Sequence, residues 1–102
     1  MRPVNPKETS LEVWRVPEGA HYLWQEWNDE FIVFNNLSSH SHLLDAFSAQ
    51  VLKALEPHPR DIESLARGLG ERFDLETENL ESRVALIVER FDALGLVEPD
   101  RS

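Results

Sequence analysis

His40 and His42 stand two residues apart in a run of β character, so both imidazoles leave the same face of a strand. Two imidazoles at that spacing can share a metal ion. A zinc site needs three or four protein ligands, however, and no third ligand stands at a fitting distance along the chain. There is no cysteine, which excludes disulfides and thiolate metal sites. Ser38, Ser39 and Ser41 have no nearby base with an orienting carboxylate, and no nucleophile elbow surrounds them. The carboxylates fall mostly on helix surfaces, where solvated faces are the rule. These residues predict a protein that is not an enzyme and that holds no metal or cofactor.

The elements carrying these residues can be read from apolar spacing and turn chemistry. Residues 1–10 contain two prolines and no periodicity and are expected to form a flexible arm. Leu11 to Val16 has β character and stops at the turn Pro17-Glu18-Gly19. Tyr22–Trp27 and Glu30–Asn35 are aromatic and β-branched runs separated by Asn28-Asp29. Both of those residues tolerate positive φ, which predicts a tight hairpin with Trp24 opposite Val33 and Leu23 opposite Phe34. Large apolar groups line both faces of that hairpin, so its pattern does not say which face meets the core. Asn35–Ser39 is the next turn and His40–Leu44 the next strand. No long strand follows later in the chain, which leaves His40–Leu44 as an expected sheet edge.

Helix one is expected from Asp45, an N-cap. Its stripe is Phe47, Val51, Leu52 and Leu55, and Pro57-His58-Pro59 ends it. Helix two runs from Asp61 to Phe73 with Ile62, Leu65, Ala66, Leu69 and Phe73 on one face; Gly68 and Gly70 weaken its last turns. Helix three spans Glu76 to Leu94, with Gly95 as C-cap. Leu96-Val97-Glu98 suggests a short terminal strand before Pro99. The expected fold is α+β: a three-stranded antiparallel sheet followed by a three-helix bundle, in one domain over residues 11–99 with a tail at 100–102.

The chain has 102 residues, 10 basic and 19 acidic, a net charge of −9 and a pI near 4.8. Phosphate backbones are bound through clustered lysine and arginine, so this balance argues against nucleic acid. No window approaches the ~20 apolar residues of a spanning helix, and the first residues lack a signal-peptide core. The expected location is cytoplasmic, without a membrane partner.

Helix three is asymmetric. With Val84 at zero on a 100° wheel, Leu80, Val88 and Phe91 lie within about 40°. Ile87, Leu94, Arg83, Arg90 and Leu86 continue around one flank, whereas Glu81, Asp92 and Glu89 occupy the other. An apolar stripe extended on one side and bordered by arginines suits a helix that lines a groove. It also suits a helix whose Leu86 packs on the N-terminal arm while the arginines pair with glutamates.

The stretches Tyr22-Leu23-Trp24, Phe31-Ile32-Val33-Phe34, Leu43-Leu44-Asp45 and Ala49-Gln50-Val51-Leu52, with the later DIESLARGLGERF and FDALGLVEP, resemble the PqqD-like proteins in order and spacing. The likeness extends over residues 11 to 99. It implies a winged-helix-like fold, the recognition element for precursors of ribosomally synthesised, modified peptides. Such a protein binds the leader of the precursor by strand addition and presents it to a modifying enzyme. By position, the receiving edge is His40, Ser41, His42, Leu43 and Leu44, and the facing side of helix three carries Arg83, Leu86, Ile87 and Arg90. Main-chain bonds at an open edge supply affinity whatever the peptide sequence. Arg83 and Arg90 would favour acidic residues in the leader.

Members tied to pyrroloquinoline quinone synthesis commonly close helix one with Asp-Gly, where this chain has Glu56-Pro57-His58-Pro59. The opening WRV and the ending GLVEP are more similar to PqqD-like chaperones associated with kinase-like proteins related to the HPr kinase. A winged-helix DNA-binding regulator is the rival of the same topology. Its recognition helix would be helix three, where five carboxylates face two arginines between Glu76 and Asp92. A general protein-interaction module is a third possibility. The open edge allows either a monomer or a strand-exchanged dimer.

Overall fold

Asn28 and Asp29 both adopt positive φ, 51° and 64°. They close a two-residue turn whose twist matches that of its strands. The computed structural model of the chain describes residues 12–76 and 78–100; the expected arm at 1–10, the strand start at Leu11 and the last two residues of the tail lie outside them. Strand β1 is Val13–Arg15, and β2 (Tyr22–Trp27) and β3 (Glu30–Asn35) form the hairpin. The hairpin register pairs Trp24 with Val33 and Leu23 with Phe34, as expected. Asn35 is buried and its side-chain Oδ1 accepts from the Leu37 N–H, which bends the chain towards β4 (His40–Leu44). Strand β4 pairs antiparallel with β3, in the order β2-β3-β4.

The face of this sheet that meets the core carries Tyr22, Phe31, Val33 and Leu44. Helix α1 (Ala46–Leu55) packs against β3 and β4 and touches the two helices that follow. Asp45 caps α1, its carboxylate accepting from the Ser48 N–H at 2.7 Å. The last turn of α1 is tied back to the sheet. The Trp24 indole donates to Glu56 at 2.9 Å, and Lys53 Nζ lies 4.9 Å from the rings of both Trp24 and Phe31.

Helix α2 (Ile62–Phe73) is capped by Asp61 in the same way, through the Ser64 N–H at 2.7 Å. Ile62, Leu65, Ala66 and Leu69 are buried as the stripe requires, but Phe73 is 41% exposed. The helix ends at Phe73, so its ring stands at the rim of the core, with the Arg72 guanidinium 5.2 Å away. Gly70 is buried where an added Cβ would meet Leu80 Cδ2 at 3.1 Å, so it allows the next helix to approach closely.

Helix α3 spans Leu80–Ala93, a later start than Glu76. Asn79 takes the left-handed conformation at φ 64°, which an α-helix cannot contain, and its side chain makes no capping bond. The C-terminus closes as a Schellman motif at Gly95, φ 78°: Leu96 N–H bonds to Phe91 O and Gly95 N–H to Asp92 O. Beyond it, Leu96 and Val97 are buried, and the strand they suggested is reduced to β6 (Glu98–Pro99).

A second small sheet is absent from the sequence-based expectation. The two-residue strands β5 (Arg60–Asp61) and β6 flank β1 on either side. Trp14 of β1 is buried, Arg15 pairs with Glu98 at 3.2 Å, and the Asp100 N–H bonds to Val13 O at 2.8 Å. The Tyr22 hydroxyl donates to the Leu96 carbonyl and so ties the main sheet to the turn after α3. Burial and the nearby carboxylates Glu56 and Glu98 push the Tyr22 pKa up to about 12.

Candidate functional site

Strand β4 is a sheet edge: among the described residues it pairs with β3 on one side and with no strand on the other. Its residues alternate. His40, His42 and Leu44 share the face directed to the core, while Ser41 and Leu43 leave the opposite, outer face. Leu44 is buried, and Leu43 is among the most exposed apolar residues at 63%. His40 is exposed. His42 is half-buried opposite Val33, and its Nε2 is shut off from solvent with no hydrogen-bond partner among the described residues.

An open groove of about 280 Å³ begins where β4 ends. Its lining starts at Asp45, the residue after β4, passes Phe47 and Ser48 in the first turn of α1, and crosses to Arg83, Leu86, Ile87 and Arg90 of α3. All four residues expected on the α3 flank therefore line one concavity. Ile87 is half-buried against the core, and Leu86 is 62% exposed. Among the described residues neither Arg83 nor Arg90 takes part in an ion pair. Arg83 instead lies over the ring of Phe47, with Cζ 4.5 Å from its centroid. That stacking holds a weakly hydrated cation against an apolar wall while its N–H groups stay available.

Phe47 departs from expectation. It is only partly buried and forms the groove wall, where the α1 stripe placed it in the core. Asp45, read from the sequence only as a helix cap, and Ser48, which no motif singled out, also line the groove. The opposite flank of α3 is acidic. Asp92 there has its pKa raised by burial and by Glu12 and Glu98.

No group of three or more histidine, aspartate or glutamate side chains with metal-binding geometry occurs among the described residues. No helix among them is long and apolar enough to cross a membrane.

The sequence matches the family described as coenzyme PQQ synthesis protein D (PqqD) over residues 30–97. The solved structure described as TbiB1 in complex with the TbiA(beta) leader peptide superposes with a TM-score of 0.64 at 12% identity. The superposition covers 86% of this chain and 99% of that one, and establishes a shared fold. No curated protein matches the chain significantly. A family match that runs from the start of β3 through α3 to Val97, on an antiparallel three-stranded sheet followed by three helices, assigns the chain to the PqqD family.

Proposed function

We propose that this protein captures the leader of a ribosomally made precursor peptide as an added strand on β4 and presents it to a modifying enzyme. The observation that carries this reading is the open edge of β4 running directly into a groove walled by Arg83 and Arg90. The TbiB1 structure, which has this fold, is described as a complex with a leader peptide, and that supports the same use here. An extended peptide would satisfy the free N–H and C=O groups of His40–Leu44. Its alternate side chains would enter the groove over Phe47, Leu86 and Ile87, with acidic ones next to the arginines. A hydrogen-bonding side chain opposite His42 would give the closed-off Nε2 a partner, and a buried polar group left unpaired costs ~1–3 kcal/mol. The enzyme served is a peptide-modifying one, for which a kinase-like protein related to the HPr kinase is the first to try.

Random peptides displayed on phage and selected on the immobilised protein test the reading. Enriched sequences should be extended and acidic at alternate positions, and in NMR titrations they should shift the amides of His40–Leu44 and of Arg83–Arg90. Enrichment of basic peptides, or shifts centred away from β4, would refute it. Nucleic acid gains no support from the geometry, because the flank of α3 away from the groove is acidic.

A further inference from the structure

Among the described residues the three-stranded sheet is covered on one face only. Its outer face exposes Leu23 at 67%, Trp27 at 64% and Leu43 at 63%, with Ile32 and Phe34 half-buried between them. The register makes this one surface: Leu23 lies beside Phe34, and Ile32 beside Leu43. Among the described residues no element covers it, whereas α1 covers the other face. Contiguous apolar patches of this kind mark interaction sites.

The charged side chains at the hairpin end of the patch have one sign. Between Arg15 and Lys53 the chain contains no lysine or arginine, and of the carboxylates in that stretch Glu30 lies on the outer face and Asp29 in the turn beside it, while Glu26 pairs with Phe31 on the core-directed face. Asp29 and Glu30, both exposed, close the hairpin end of the face. A second copy stacked on this face would bring the same carboxylates against each other, which is unfavourable. A partner with an apolar centre and a cationic rim meets no such penalty.

Size favours one secondary-structure type for that partner. Three strands at ~4.8 Å spacing and six residues at ~3.3 Å rise give a face ~20 Å long and little more than one helix diameter wide. An α-helix of about 13 residues is also ~20 Å long. A helix laid on a sheet is the usual way to complete such a layer. We infer that the outer face of the β2-β3-β4 sheet is a docking surface for an amphipathic, lysine- or arginine-bordered helix of a protein partner. This goes beyond the leader site and does not rest on it: the face is built from side chains of all three strands, of which only Ser41 and Leu43 belong to β4, whereas a leader would pair with the main chain of β4 at its free edge.

The probe is a synthetic 18-residue amphipathic helix with leucine on one face and lysine on the other, titrated into isotope-labelled protein. The expected result is saturable shifts at Leu23, Trp27, Ile32, Phe34 and Leu43 and a change in tryptophan fluorescence. The leucine–glutamate analogue should not bind. The combined Leu23→Glu and Leu43→Glu variant decides between causes. It adds negative charge, so attraction by charge alone would strengthen binding, whereas docking on the apolar face should weaken at least tenfold. Leu43→Ser is the second variant should the charged one fail to fold, and should weaken binding in the same direction. Equal or tighter binding by the folded variants, or shifts centred on another surface, would overturn the inference. So would a dimer in sedimentation that Leu43→Ser abolishes, since the occupant would then be a second copy.

Discussion

The two sides of α3 use the same fourteen residues for opposite ends. One side buries Leu80, Val84, Ala85, Val88 and Phe91. The other leaves Arg83, Leu86 and Arg90 in water along the groove, with Ile87 at the boundary. Apolar area removed from water stabilises the fold at roughly 25 cal/mol per Å². The exposed flank contributes almost nothing of this kind, since isolated surface groups change stability by about 0.5 kcal/mol or less. If the proposed function holds, stability and recognition fall on separate faces of one helix, and substitutions should separate them.

The largest effect is expected on the buried side. Phe91→Ala should cost about 3–5 kcal/mol of stability, through lost transfer energy and a cavity. Urea unfolding measures this, and affinity per folded molecule should be nearly unchanged; a large loss of affinity would break the separation. Next comes the groove side. Replacing Arg83 and Arg90 together with glutamate should cost acidic peptides about 2–5 kcal/mol of binding. The fold should stay intact, with ~1 kcal/mol lost from the Phe47 stack and the surface. Calorimetry beside circular dichroism checks both, and unchanged affinity in the folded variant would mean that the peptide uses another flank.

Tyr22 extends the comparison to the carbonyl of Leu96, just past α3. Its folded pKa of about 12 lies above the ordinary value of 10.0, so the folded state keeps a proton that the unfolded chain releases. The stabilisation is therefore complete below pH 10 and is lost as pH rises through 12, up to ~2–3 kcal/mol. Tyr22→Phe should flatten that alkaline decline in urea midpoints. A smaller effect is expected at Asp45, which serves both the helix and the groove. Asp45→Ala should cost about 1 kcal/mol of stability by removing the cap, yet tighten acidic peptides by deleting a carboxylate next to the arginines. The smallest effect belongs to the acidic flank. The raised pKa of Asp92 means that its charged form is disfavoured in the fold. Asp92→Asn should then raise stability slightly at pH 7, with the gain fading as pH falls into the ordinary carboxylate range.

Where a local rule has one outcome, the sequence was a sufficient guide. Asn28-Asp29 could close only a short hairpin and so determined the register of β2 and β3. Asp45 and Asp61 marked helix starts because short carboxylates accept from the first turn. Periodicity put Arg83, Leu86, Ile87 and Arg90 on one flank of α3 together with Leu94, the family resemblance singled out those four, and the fold brings all four into one groove. Tertiary choices were not legible. The hairpin carries large apolar groups on both faces, and only the placement of α1 selects Tyr22, Phe31 and Val33 as the inner set. Strands β5 and β6 are two residues long, too short for any alternation, and exist because β1 lies between them. Phe47 matched the α1 stripe, but its ring is only partly buried and faces Arg83 of α3 across the groove, so it became a wall.

One consequence follows from the bond between the Asp100 N–H and the Val13 carbonyl. It brings Val13 and Asp100 together on the small sheet, which is separate from the sheet that ends in β4. The unit can therefore be spliced into a longer polypeptide through a single junction, or have its ends joined and be reopened at an exposed turn. Neither operation should alter the edge of β4 proposed to receive the leader, which would make the domain portable as a cassette between hosts.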